Sequence, residues 1–182
     1  MLFNGPTHFD LSVSHAIQAY QPSWLTWLAK FFTYSSQPEI VVPVILVISV
    51  WLLWKHQSRR EVILTGVMLG NGLTIVLKRL FERPRPDLSM VHVLMHETGF
   101  SFPSGHAIAA VLTAAAVWVL LRTKRSVLLH VLLLLYILII GWSRVYLGVH
   151  WVSDVLAGYG VALAWVLLVH LVVPMKKKQV LA

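Results

Sequence analysis

Apolar runs long enough to cross a bilayer fill most of this 182-residue chain and limit what it can fold into. A membrane-spanning helix takes about 20 mostly apolar residues, with a range of roughly 17–25. Five stretches reach or approach that length: 38–54, 62–81, 106–121, 126–142 and 149–173. The second does so only by running on through Lys78 and Arg79 toward the interface. These runs are too many and too long for the core of a small soluble domain. In lipid, a helix satisfies its own backbone hydrogen bonds. The expectation is an all-α integral membrane protein, a bundle of about five transmembrane helices plus an amphipathic N-terminal interfacial helix.

Three regions follow. Residues 1–37 form an amphipathic interfacial segment. In "FDLSVSHAIQAYQPSWLTWLAKFF" apolar residues recur among Asp, Ser, His, Gln and Lys, which suits one or two helices in the headgroup layer rather than a sixth span. Residues 38–175 form the transmembrane domain, and 176–182 a basic cytoplasmic tail. The opening "MLFNGPTHFD" lacks the basic start and apolar core of a secretory signal. With no cysteine, disulfides, thiolate nucleophiles and cysteine-based zinc sites are excluded. The net charge of +8 would suit a nucleic-acid binder, but the 58% hydrophobic content argues for membrane lipids as the surroundings and no nucleic-acid partner. Nothing in the sequence signals an oligomeric state.

Charge sets the orientation. "KHQSRR", "RTKR" and "KKK" hold nine of the fifteen basic residues. They fall in alternate connections, on one side, which the positive-inside rule makes cytoplasmic. The N-terminus is then outside and the C-terminus inside. Lys30, Lys78, Arg79, Arg83, Arg85 and Arg144 lie on the outer half, against the general bias. A ligand explains that better than topology does.

Three segments converge on the outer side: "KRLFERPRP" at 78–86, "SFPSGH" at 101–106 and "SRVYLGVHWVSD" at 143–154. Lys78, Arg85 and Arg144 can hold the oxygens of a phosphoryl group, the arginine fork suiting bidentate contact. "PSGH" opens a helix whose free N–H groups favour an anion. Gly105 leaves room for close approach, and Ser104 can both cap the helix and donate its hydroxyl. Asp154 follows His150 by four residues, so a continuous helix places both on one face. A carboxylate on one imidazole nitrogen fixes the tautomer and leaves the other nitrogen suited to nucleophilic attack. His106, facing the same anion, is then available as general acid.

The three segments resemble the type-2 phosphatidic acid phosphatase superfamily of integral membrane lipid phosphatases. Lys78, Arg85 and Pro86 fit its first signature. Pro103, Ser104, Gly105 and His106 fit the second, and Ser143, Arg144, His150 and Asp154 the third. The resemblance runs from about residue 9 to residue 173. It implies a phosphohistidine mechanism with no metal or other cofactor, in which His150 is the nucleophile, His106 the general acid and base, and Asp154 the group that orients His150. Lys78, Arg85, Ser104, Gly105 and Arg144 would bind the phosphate. It further implies a bacterial plasma membrane location, with the active site on the extracytoplasmic side and a lipid phosphate within the bilayer as substrate. Undecaprenyl pyrophosphate and phosphatidylglycerol phosphate lead, with phosphatidic acid a further candidate. Many bacterial members carry another apolar span before the segment matching "FDLSVSHAIQ". A five-span protein and a chain lacking its first helix therefore both stand as expectations.

Other residues have plainer explanations. Arg79 and Arg83 fall off the signatures and are expected to snorkel to the headgroups. His130 and His170 suit helix packing, and His92 and His96 a loop. Trp51, Trp54, Trp142 and Trp151 suit an interfacial belt. "GVMLG" at 66–70 and the small residues Ala157, Gly158, Gly160, Ala162 and Ala164 suit close helix contacts. His106, His150 and Asp154 are legitimate metal ligands, yet three nearby cations would repel a divalent ion. Two other activity classes use the same parts: a phosphotransferase passing the group to an alcohol, and a non-catalytic lipid-phosphate binding or transport protein. The latter has no need of two histidines.

Overall fold

The first helix opens on a reciprocal cap. In the computed structural model, which describes residues 5–56, 59–121 and 126–173, the Thr7 hydroxyl accepts from the Asp10 amide at 3.1 Å and Asp10 Oδ2 accepts from the Thr7 amide at 3.0 Å. Two otherwise unpaired donors are satisfied, and α1 (His8–Gln18) starts there. α2 (Ser23–Ser35) and α3 (Pro38–His56) follow with a short joint between them. Together they supply a stretch, Ser23–Leu52, long and apolar enough to cross a membrane. α4 (Arg59–Leu69) and α5 (Gly72–Phe81) form a second crossing broken once, and α6 (Gly105–Leu120) is a shorter apolar helix. α7 (Val127–Tyr146) and α8 (Val152–Val172) complete the bundle. No strand occurs among the described residues. The protein is an all-α, multi-pass membrane protein. The basic segments 122–125 and 176–178, the tail, and residues 57–58 lie outside the described residues.

The interruption of 62–81 falls at Gly70 and Asn71, where the hydrogen bonds tighten from the α to the i→i+3 pattern. A Cβ on Gly70 would stand 2.4 Å from the Trp165 ring, so only glycine lets that indole approach. Past the break, Asn71, Thr74 and Lys78 lie on one face of α5 and line the same cavity.

α6 lies at the centre. Ile108, Val111 and Leu112 pack with Ile63 and Val67 of α4 and with Ala162 and Val169 of α8. Small residues set how close the helices come. A Cβ on Gly158 would lie 2.9 Å from both Ala107 Cβ and the Ser104 carbonyl, and one on Gly66 3.0 Å from Val169. The small-residue reading does not extend to Gly160, which has nothing within 4 Å, or to exposed Ala164.

Three expectations need correction. The N-terminal helices are amphipathic, but α1 turns its polar side inward: Asp10, Ser14 and Gln18 are buried at four-residue spacing. Gln18 Nε2 donates to the carbonyls of His92, Val145 and Tyr146. Trp24, Trp27, Phe31 and Tyr34 of α2 face outward, as a lipid-facing surface requires. α7 runs a full turn beyond 142, because Ser143, Arg144, Val145 and Tyr146 are buried against the first helices rather than emerging at a water interface. Trp151 is 1% exposed and belongs to the protein interior, not to an interfacial belt.

Candidate active site

The C-terminal ends of α5 and α7 and the N-terminal ends of α6 and α8 meet at one end of the bundle, under the loop 82–104. Short bonds pin that loop down. The Ser101 amide donates to the Arg83 carbonyl at 2.8 Å, and the Leu94 amide to the Leu147 carbonyl at 3.0 Å. Gly148, with φ +68, makes the turn between α7 and α8, where a Cβ would stand 2.1 Å from the His92 carbonyl oxygen.

Lys78, Arg85, Gly105, His106 and His150, from three distant parts of the sequence, line one cavity of about 640 Å³. Its remaining wall includes Val42 and Pro43 of α3 and Ile75 of α5, so it extends between those helices. Ser104 is not in the lining. It is fully buried, its hydroxyl accepts from the Ala107 amide at 3.4 Å, and its own amide donates to the Asp154 carbonyl at 3.0 Å. Ser104 thus caps α6 and ties it to α8. The His106 Nε2 is buried with no hydrogen-bond partner. A buried polar atom without a partner is costly in a closed interior, and here it adjoins the cavity.

His150 is 1% exposed, between Arg85 and Asp154. Its Nδ1 lies 3.4 Å from Asp154 Oδ2, and its Nε2 3.2 Å from Arg85 Nη1. A guanidinium only donates, so Nε2 accepts and the ring proton sits on Nδ1, toward the carboxylate. Asp154 Oδ2 also accepts from the Trp151 amide at 2.9 Å, which fixes the carboxylate at the first turn of α8. Burial, together with the charges of Arg85 and Arg144, holds the His150 pKa well below its ordinary value. The ring is a neutral base whose Nε2 electron pair faces Arg85.

Arg144 is buried and enters the cradle indirectly, through an ion pair with Glu97. Its Nη1 donates to Thr33 Oγ1 of α2 at 3.3 Å. Glu97 Oε2 also lies 3.1 Å from Arg85 Nη1. Lys78 Nζ donates to the Phe100 carbonyl at 2.8 Å, and Arg85 to the carbonyls of Thr98, Gly99 and Val149. Burial opposes a charge on Glu97, but the charge and hydrogen bond of Arg144, with the charge of Arg85, outweigh it and take its pKa down to about 2. Among the described residues, no group of three or more His, Asp or Glu is placed to hold a metal ion.

Arg83 departs most from expectation. It does not snorkel: at 1% exposure it is among the most buried large side chains in the protein. Its Nη1 donates to Asp154 Oδ1 at 2.6 Å and to Ser153 Oγ at 2.7 Å, and its Nη2 to Asp10 Oδ2 at 2.8 Å and the Gly5 carbonyl at 3.0 Å. Arg79, by contrast, is exposed. Asp10 and Glu97 were not singled out by sequence reasoning. With only seven acidic residues in the chain, asking which cation each one pairs with would have raised both. His92 Nδ1 lies 2.7 Å from Gln21 Oε1 and helps hold the loop to the first helices, while His96 is exposed. His130 accepts from Trp118 on the neighbouring helix, a packing role.

Comparison with known proteins adds a consistent result. The PAP2 superfamily matches residues 62–178. A phosphatidylglycerophosphatase B from Bacillus subtilis is 30% identical over 162 residues, covering 85% of this chain and 78% of that one. The undecaprenyl-diphosphatase BcrC of the same organism is 29% identical, covering 75% and 70%. Among solved structures, a transmembrane PAP2 type phosphatidylglycerolphosphate phosphatase from Bacillus subtilis superposes with a TM-score of 0.76 at 29% identity, covering 88% of this chain and 82% of that one.

Proposed function

The chain belongs to the PAP2 superfamily, and on that footing we propose that it hydrolyses a phosphate monoester or diphosphate on a membrane lipid through a phosphohistidine. The observation that carries this reading is the shared cavity. One space is lined both by two histidines and two cations and by apolar residues of α3 and α5. A lipid entering from the side can place its phosphate among the cations and keep its chains in the bilayer. Undecaprenyl diphosphate and phosphatidylglycerol phosphate, the substrates named for the two relatives, lead the candidates.

In the first step His150 Nε2 attacks phosphorus in line. The bond from phosphorus to the lipid oxygen breaks, its electron pair goes to that oxygen, and His106, which the anionic phosphoryl group allows to carry a proton, supplies it. In the second step water attacks the phosphohistidine, His106 takes a proton from it, and the phosphorus–nitrogen pair returns to His150. Asp154 faces the charge that develops on the His150 ring. Lys78, Arg85 and the Gly105 amide hold the equatorial oxygens, Arg144 joins them only where the phosphoryl group displaces Glu97, and Ser104 sets the start of α6. No step calls for a metal. The positive-inside rule supports a site on the extracytoplasmic side, and the bacterial relatives support a plasma membrane location.

The test is release of inorganic phosphate by purified protein in detergent with a chelator present. Undecaprenyl diphosphate, phosphatidylglycerol phosphate and phosphatidic acid are supplied separately. Release from at least one is expected; release from none would refute the reading.

A further inference from the structure

The Asp154 carboxylate has two oxygens, and the mechanism accounts for one. Oδ2 faces His150 and the Trp151 amide, while Oδ1 is taken by Arg83 at 2.6 Å. We propose that Arg83, held from behind by Asp10, is a positioning residue for the His150–Asp154 couple and makes α1 a working part of the site. This inference rests on the phosphatase reading above.

The geometry is a buried chain of four groups running Asp10, Arg83, Asp154, His150. The guanidinium fork bonds one carboxylate with each terminal nitrogen. Because the guanidinium is planar and rigid, anchoring one terminal nitrogen on Asp10 fixes the direction from which the other meets Asp154. Asp10 is fully used: Oδ2 accepts from Thr7 and Arg83, and Oδ1 accepts from the Ser153 amide at 2.9 Å, next to Asp154 itself. Arg83 can therefore neither rotate away nor swing Asp154 out of line without breaking the start of α1.

Charge supports the same role. A guanidinium bound to Asp154 alone would cancel the negative charge that His150 needs when its ring becomes cationic. Asp10 supplies the counter-charge, so two carboxylates and one guanidinium leave a net negative charge, directed through Asp154 toward Nδ1. Burial disfavours ionised Asp10, but hydrogen bonds from Thr7, Ser153 and Arg83 prevail and bring its pKa down to about 2. Neither Arg83 nor Asp10 lines the cavity. Their loss should act on turnover, with little effect on lipid binding.

The experiment compares Arg83→Met, Arg83→Lys and Asp10→Asn with the unaltered protein, using variants that match its elution and melting behaviour. In Arg83→Met, kcat is expected to fall about 10–100-fold, as when an outer-shell partner is lost, with KM within about twofold. Asp10→Asn is expected to fall less, and Arg83→Lys to recover part of the loss. The decisive readout is the imidazole spectrum of ¹⁵N-histidine-labelled protein. His150 should be a single Nδ1–H tautomer in the unaltered protein and a mixture in Arg83→Met. If Arg83→Met does not fold, Asp10→Asn and Arg83→Lys carry the comparison. Folded variants with kcat within twofold and an unchanged His150 spectrum would overturn the proposal, as would three variants that all fail to fold. An unaltered protein that releases no phosphate would defeat the phosphatase reading instead. The tautomer comparison would then still decide whether Arg83 positions His150.

Discussion

Glu97 lies between Arg85 and Arg144 and pairs with both, at 3.1 Å from Arg85 Nη1, so the resting cradle holds an anion of its own. With a pKa of about 2 this group is a carboxylate at any working pH. A phosphoryl group seeking the same two guanidinium forks must displace it. Glu97→Gln removes the competing charge and keeps the shape. The inhibition constant for vanadate or inorganic phosphate is expected to fall roughly tenfold, equivalent to about 1.4 kcal/mol. Steady-state inhibition in detergent checks this, and equal or weaker inhibition would show that Glu97 does not compete.

Arg85 and His150 touch each other through Nη1 and Nε2, but their losses should differ in degree. Removing one fixed donor aimed at developing charge costs about 10²–10³ in rate. Arg85→Gln is therefore expected to lose that much kcat while still forming measurable phosphoenzyme with labelled substrate. His150→Ala should lose both turnover and labelling. Labelled phosphate retained by His150→Ala would place the nucleophile elsewhere.

The cavity wall gives a prediction about substrate form. Val42 of α3 and Ile75 of α5 both line the cavity that holds the histidines. Val42→Trp narrows the space between those helices without touching a charged group. KM for a long-chain lipid phosphate is expected to rise about tenfold, a loss of roughly 1.4 kcal/mol. Hydrolysis of a short, water-soluble phosphate ester should stay nearly unchanged. An equal effect on both would mean that lipid chains do not use this opening.

The span pattern and the signature spacing were readable because each rests on local chemistry. Length and apolarity set a crossing, and Lys78, Arg85, Gly105, His106 and His150 share a cavity because helix ends meet where their signatures begin. Arg83 was misread for a physical reason: a cation beyond a span normally finds water, and nothing local shows that an aspartate more than 70 residues earlier waits in the interior. The argument that set Lys78 apart, a cation on the disfavoured face, applied equally to Arg83. Asp10 was hidden by its setting, since polar residues in an amphipathic helix normally mark the wet side. Here they mark the protein side: Asp10, Ser14 and Gln18 are buried, and Ile17 packs inward beside them.

His150 gives a pH dependence whose sign can be worked out. Burial, then Arg85 and Arg144, depress its pKa in the folded protein. In the unfolded chain the imidazole takes a proton as pH falls through about 6.5. The unfolded state then binds more protons, so stability rises with pH through that region and declines as pH drops below about 6.5. Melting temperature between pH 7.5 and 5 should fall more steeply for the unaltered protein than for His150→Gln. In ¹⁵N-histidine spectra, the resonance missing from His150→Gln should not titrate near 6.5. A midpoint at or above that value would contradict the depressed pKa.

Gly158 connects helix packing to the chemistry in a way that a single methyl group can test. A Cβ there would press on the Ser104 carbonyl and on Ala107, each at 2.9 Å. The Ser104 amide is bonded to the Asp154 carbonyl, so any separation of α8 from α6 acts on the residue behind His150. Overpacking a tight contact typically costs about 1–3 kcal/mol. The backbone carbonyl cannot turn aside as a flexible side-chain tip can. Gly158→Ala is expected to lower both melting temperature and kcat, and Gly158→Val to lower both further. Gly160→Ala, on the same helix but with nothing within 4 Å, should lower neither, and removing a mid-helix glycine can only raise the melting temperature. If Gly158→Ala melts lower but turns over normally, the α6–α8 contact is structural only, and Asp154 takes its position from Trp151 and Arg83 without help from Ser104.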